Sequence, residues 1–184
     1  MTEFLGLIGS CARTQERNAS SELYYLLTEL LDYSNVDISP DSAISGLFIA
    51  KFEEDPIKTL QRIEEELEKD RSVLQYTLKL VPTQYRVATT LEDMREITKK
   101  ISLKIKDDDS WRVTLRRRHS QLSRNEIITA VASEVNVGKV MLDNPRHYIV
   151  VEILGKWTYL SLSPQAELSI SLDEDLPPEN DFTF

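Results

Sequence analysis

The chain has 184 residues, 41% of them apolar and 29% charged, with a formal net charge of −9 and a single cysteine. That length bounds it at one large domain or two small ones with enough apolar content for a core, and no apolar run approaches the roughly 20 residues of a membrane helix. One cysteine excludes an internal disulfide framework, and the start MTEFLGLIG lacks the basic n-region and apolar length of a secretory signal, so a cytoplasmic protein without membrane contact is expected.

In chain order, residues 4–8 form a short apolar run closed by Gly9 and Ser10, the pattern of a strand. Residues 14–31 space Ala19, Leu23, Leu26, Leu27 and Leu30 along one face of a helix. Residues 44–52 (ISGLFIAKF) are apolar and β-branched, a second strand. Asp55 and Pro56 then suit the N-cap and first position of a helix whose stripe is Ile57, Leu60, Ile63 and Leu67. Residues 74–87 alternate loosely and read as a strand interrupted at Pro82. This succession of strands and helices is what a ferredoxin-like domain produces.

The second half has its own pattern. Residues 91–105 carry Leu91, Met94, Ile97, Ile101 and Ile105 at helical spacing, and Asp107-Asp108-Asp109 ends the helix. In residues 111–119 Trp111, Val113 and Leu115 alternate with Arg112, Thr114 and Arg116, a strand. Ser123 with Glu126 three residues on is a capping-box signature for a helix to Val135. Residues 139–142, 148–154 and 157–162 read as strands, the last two joined by a two-residue hairpin at Gly155-Lys156. Beyond Pro164 the chain turns polar and has no Lys or Arg, which predicts a mobile acidic tail over 164–184.

Charge is distributed unevenly. Between Lys99 and Arg146 eleven basic residues face six acids, a balance of +5, whereas the remainder of the chain stands at −14. An acidic protein that gathers its arginines in one segment keeps an electropositive surface for a polyanion, and nucleic acid is the first candidate. The bases at Arg112, Arg116, Arg117, Arg118, Arg124, Lys139 and Arg146 are the expected phosphate contacts, with Arg112, Arg116 and Arg118 on one strand parity and Arg117 on the other. A solvated strand edge that discourages aggregation is the alternative for Arg116 to Arg118, but phosphate contact is favoured because Arg112, Arg124, Lys139 and Arg146 flank them in a segment poor in acids. Lys99, Lys100 and Lys104 read as a solvated helix face, and Trp157 and Tyr159 as core before base-stacking platform.

No motif for catalysis stands out: there is no Gly-rich phosphate loop, and two histidines and one cysteine are too few for a zinc site. Cys11 sits between a strand and a helix, where a dipole lowers a thiol's pKa, but a small residue filling a turn is the simpler account. No catalytic residue, cofactor or metal is expected.

From Trp111-Arg112-Val113 through Arg116-Arg117-Arg118 and the Ser123 helix to Val140-x-Leu142-x-Asn144-Pro145 and Val150-Val151-Glu152-Ile153, the second half resembles the THUMP domain. The preceding segment resembles the ferredoxin-like domain that accompanies THUMP, and GSCARTQERNASSEL resembles the first-helix region of free-standing THUMP proteins, which are similar to the adaptor of a tRNA cytidine acetyltransferase. Met141 and Arg146 depart from acids usual in the family, and Asp143 is a candidate to fix the loop in place of the first. The resemblance implies an α/β (α+β) protein with a ferredoxin-like domain over residues 1–88, a THUMP domain over 89–163 and the tail over 164–184. It implies RNA rather than DNA as ligand, with Asn144 joining the seven bases at the interface. The expected function is a non-catalytic adaptor that grips the acceptor stem and 3′ CCA end of tRNA and presents it to a modifying enzyme, a cytidine acetyltransferase. The alternative is an acidic protein-interaction module that does not bind RNA by itself.

Overall fold

The computed structural model describes residues 3–41 and 43–170. The first half builds β1 (Glu3–Cys11), α1 (Glu16–Tyr25), β2 (Asp37–Pro40), β3 (Leu47–Lys51), α2 (Pro56–Lys69) and β4 (Thr77–Ala88). Its sheet runs β2-β3-β1-β4, every neighbour antiparallel, which is the ferredoxin-like order expected. The polar strand β2, Asp-Ile-Ser-Pro, carries no apolar alternation and was invisible to pattern reading; pairing with β3 holds it in place.

Two boundaries differ for physical reasons. The first helix widens at its end into a π-helical turn, Leu26–Leu30, in which Leu31 N–H donates to Leu26 O. The extra residue per turn rotates the apolar face, so Leu31 is buried while Leu30, expected in the stripe, is exposed. Pro82 does not interrupt β4. This strand pairs with β9 (Leu168–Ser169) at Lys79 and Leu80 and with β8 (Trp157–Ser163) from Tyr85 to Ala88, leaving a gap between. Pro82 O faces that gap, where it accepts from Ser161 Oγ at 2.7 Å, so the N–H that proline lacks has no ladder partner to lose.

The second half comprises α3 (Leu91–Ser102), β5 (Ser110–Arg118), α4 (Arg124–Ala132), β6 (Lys139–Val140), β7 (His147–Leu154) and β8. Strands β6 and β7 both pair with β5 in parallel, and β7 and β8 form the antiparallel hairpin with Gly155 at φ 61°. The capping box is present: Glu126 N–H donates to Ser123 Oγ and Ser123 N–H to Glu126 Oε2. Through β4–β8 pairing one sheet, β2-β3-β1-β4-β8-β7-β5-β6, passes through both halves.

Helices α1 and α2 bury one face of the first half through Leu7, Phe48, Leu23, Leu60 and Ile63; α3 and α4 do the same in the second through Met94, Ile101, Ile127, Leu115 and Val151. A third cluster lies on the helix-free face and joins Phe4, Ile8 and Leu47 to Val150, Leu154 and Tyr159. This cluster runs across neighbouring strands, from Leu47 on β3 through β1, Val81 on β4 and Tyr159 on β8 to β7, and so joins the two halves on that face. The segment 164–170 corrects the expected start of a mobile tail. It supplies β9, and Leu168 and Ile170 fill the first core. The remainder of that expected tail, residues 171–184, lies outside the described residues.

Candidate nucleic-acid interface

Strand β5 places its arginines by parity. Trp111, Val113 and Leu115 face the helices, and Trp111 Nε1–H donates to Val137 O at 2.9 Å, while Arg112, Arg116 and Arg118 share the opposite face as expected. That face is not a free surface. Glu152 of β7 stands opposite Arg116 in the register and is 3% exposed at its side chain. Arg116 Nη1 reaches Glu152 Oε1 at 3.0 Å, Arg118 Nη1 reaches Oε2 at 3.3 Å, and Arg116 Nη2 also pairs with Glu167. Glu167 in turn binds Lys79 of β4 at 3.2 Å. The two arginines therefore spend much of their charge on a network that ties the second half to β4 and to the segment before β9. Glu152 and Glu167 escaped sequence reasoning. The available signal was an acid inside the apolar strand Val150-Val151-Glu152-Ile153, since a buried carboxylate needs a paired cation.

The other expected residues fall at the two ends of β5, roughly 26 Å apart at about 3.3 Å per residue. At the C-terminal end Arg117 and Arg124 are exposed beside the N-terminus of α4; Arg117 Nη1 donates to Leu122 O and Arg124 Nη1 to Leu115 O. Helix N–H groups and two guanidinium groups there favour an anion. His119, with φ 55°, turns the chain between them and is exposed.

At the N-terminal end Lys139, Asn144 and Arg146 are exposed on the loop that leaves β6. Arg112 belongs to this group through its contact: its Nη1 donates to Leu142 O at 2.6 Å and holds the loop. The acid that fixes this loop is Asp109, 2% exposed, rather than Asp143. Asp109 accepts from Lys106 N–H at 2.8 Å, lies 3.1 Å from His147 Nε2 and pairs with Arg146 Nη1 at 3.1 Å, while its carbonyl accepts from Lys139 N–H. The Lys106 N–H first, then His147 and Arg146, hold its carboxyl below the usual range against the effect of burial. A depressed carboxylate stabilises above its ordinary pKa, and that contribution is lost as the pH falls through the lowered value. Asn144 takes φ 50°, a left-handed turn position asparagine tolerates, and Pro145 behind it is buried.

Between the halves Arg86 stacks 4.7 Å from the Trp157 ring and 5.2 Å from Phe4. Tyr159 meets Phe4 edge-on and is buried, which pushes its phenol pKa up, whereas Trp157 is half-exposed. Tyr159 is core and Trp157 is its rim. On α3, Lys99 and Arg95 approach Glu134 at 3.8 and 3.9 Å and Lys100 approaches Glu96 at 3.8 Å, a solvated face with weak pairs.

Among the described residues no group of three His, Cys, Asp or Glu side chains converges on a metal position, and no helix is long and apolar enough to cross a membrane. Cys11 is buried; desolvation first, then Glu16 and Glu22, raise its thiol pKa to about 11. The dipole effect weighed from sequence is outcompeted, and Cys11 of the native protein is expected to resist iodoacetamide at pH 8 until urea unfolds it, as intact mass will report.

Residues 88–163 match the THUMP domain family. No curated protein matches the sequence. Three solved structures share the fold: PH1313 from Pyrococcus horikoshii Ot3 (19% identity, TM-score 0.60, 90% of this chain and 55% of that one), TrmN from Thermus thermophilus (17%, 0.56, 90% and 46%) and a 4-thiouridine synthetase in complex with RNA and ATP (12%, 0.58, 91% and 42%). The chain thus spans about half the length of the structures it resembles.

Proposed function

We propose, from the premise that residues 88–163 are a THUMP domain, that the protein binds tRNA in the course of its modification. The observation that carries this is the rim of exposed bases at both ends of β5, with Lys139, Asn144 and Arg146 on a loop pinned by Asp109 and Arg112 and with Arg117 and Arg124 at the head of α4. A related fold carries RNA in the 4-thiouridine synthetase complex, and TrmN shares the fold as well. Two cationic ends a strand's length apart suit a stem and its exposed terminus better than a single phosphate. A-form RNA hides its major groove, so the rim would read shape, phosphates and an unpaired end.

In finer terms, the ferredoxin-like unit (residues 1–88) and the THUMP unit (89–163) act together as a non-catalytic adaptor on the acceptor stem and 3′ CCA end. The chemistry is supplied by a modifying enzyme, by resemblance a cytidine acetyltransferase. Arg112, Arg116 and Arg118 contribute by holding the scaffold and offering their remaining N–H groups, with the more direct contacts at Arg117, Arg124, Lys139, Asn144 and Arg146.

Fluorescence anisotropy with intact tRNA and tRNA lacking CCA, at two salt concentrations, tests this. Intact tRNA should bind more tightly, and Lys139→Ala with Arg146→Ala should weaken binding for all tRNAs while the salt slope shrinks by roughly 0.7–0.9 per lost phosphate contact. No binding at low salt would leave the acidic interaction module as the better reading.

A further inference from the structure

The longest acidic stretch of the first half borders a groove. Helix α2 and the segment Leu168 to Ile170 line a cleft of about 540 Å³ in which half-buried Leu67 is the main apolar contact, with the largely buried Leu168 and Ile170 beside it. Glu64, Glu65 and Glu68 stand along the helical wall, and none of the three makes an ion pair among the described residues. Glu66, between them, is the one that pairs with Lys69. Glu64 and Glu68 are four apart, a spacing at which like charges repel along a helix face. Arg71 is the cation among the lining residues and stands beyond the end of α2.

The opposite wall is a strand edge. Ile170 N–H donates to Leu78 O, and Leu168 and Ser169 pair with β4 alone among the described residues. Because backbone groups alternate along a strand, exposed Ser169 directs its N–H and C=O away from β4. The groove therefore offers a strand edge, a small apolar contact centred on Leu67 and a wall of carboxylates without ion pairs among the described residues.

We propose that this groove docks an extended, basic segment of a protein partner, lysines or arginines toward α2 and alternate apolar side chains on Leu67, Leu168 and Ile170. Charge complementarity selects this occupant. Residues 171–184, the chain's own continuation, carry five acids and no base, so they repel the same wall and attract the same partner. Strand addition would supply main-chain hydrogen bonds at Ser169, with the carboxylates setting specificity. The groove is lined by α2 and by residues 168–170, none of them among the bases expected to contact RNA, although its neighbour Glu167 pairs with Arg116 of β5. This inference goes beyond the RNA reading and fails or holds separately from it.

The test uses the full 15N-labelled chain and a ten-residue peptide alternating lysine with leucine or valine, against the same peptide with glutamate for lysine. Amide shifts confined to residues 61–71 and 168–170 are expected with the basic peptide alone. Glu65→Lys with Glu68→Lys, both exposed positions, should cut affinity at least about tenfold while tRNA affinity stays unchanged. Equal binding by the variant, or shifts spread over every acidic surface, would overturn the proposal. So would shifts in α2 on removing residues 171–184 without peptide, which would make the chain its own occupant.

Discussion

Replacing Glu152 by alanine lowers the melting temperature by roughly 5–10 °C, the equivalent of about 2–3 kcal/mol for a chain of this size. Glu152 is buried between two guanidinium groups that come from the facing strand at 3.0 and 3.3 Å. Removing one partner of a buried pair costs more than the pair contributes, because the remaining charge keeps its desolvation penalty. Arg116 and Arg118 retain 25% and 35% exposure at their side chains, so water offsets part of that loss and the figure sits below the range for fully buried pairs. Glu152→Gln should fall between, since the amide keeps one acceptor. Glu167→Ala should cost less than either, because its partners at Arg116 and Lys79 are themselves partly solvated. Calorimetry on the three variants checks the order, and equal midpoints for Glu152→Ala and Glu167→Ala would contradict it.

A larger loss is expected from the smallest change, Gly6→Ala. Gly6 lies in β1, the central strand of the first half, opposite Lys51 on β3 and Thr83 on β4. A Cβ there would overlap the backbone carbonyl oxygen of Ala50 and stand 3.2 Å from the Phe4 ring. A side chain could rotate aside; a carbonyl in a ladder moves only with its strand. Relief therefore means parting β1 from β3 and disturbing the third core where Phe4 packs. We expect a loss of about 3–4 kcal/mol, above the usual overpacking cost, seen as a lower urea midpoint with an unchanged slope. Gly155→Ala is the contrast. Nothing lies within 4 Å of its Cβ, and only the positive φ of 61° opposes it, at about 1–2 kcal/mol.

The sequence was legible where side-chain periodicity meets local chemistry. The Asp55 and Ser123 caps, the parity of β5 and the hairpin at Gly155-Lys156 depend on residues close in sequence or on a repeated face. Polar strand β2 and the π turn after Tyr25 depend on neighbours far along the chain, and no local pattern marks them. The basic segment was legible as a charge count, but which arginines are free was not. Arg116 and Arg117 are adjacent in sequence, yet one is held by two glutamates and the other donates to a loop carbonyl. Only the strand register, which sets Glu152 against Arg116, separates them. Asp109 was read as one acid in a helix-ending run; its burial and its hold on Arg146 and His147 come from the return of β6 and β7 to β5.

The placement of β9 has a consequence for how the chain is made. Synthesis delivers β1 to β4 with α1 and α2 long before Leu168 and Ile170, yet these two side chains close the first core. Domains that emerge first generally fold first on the ribosome, but here the first core is completed only by Leu168 and Ile170, far downstream of β4. Until they arrive, the edge of β4 at Lys79 and Leu80 stays unpaired, a site where nascent chains can adhere to one another. The last described strand thus acts as a completion signal, and the order of translation is the reverse of the order in which the first core becomes whole.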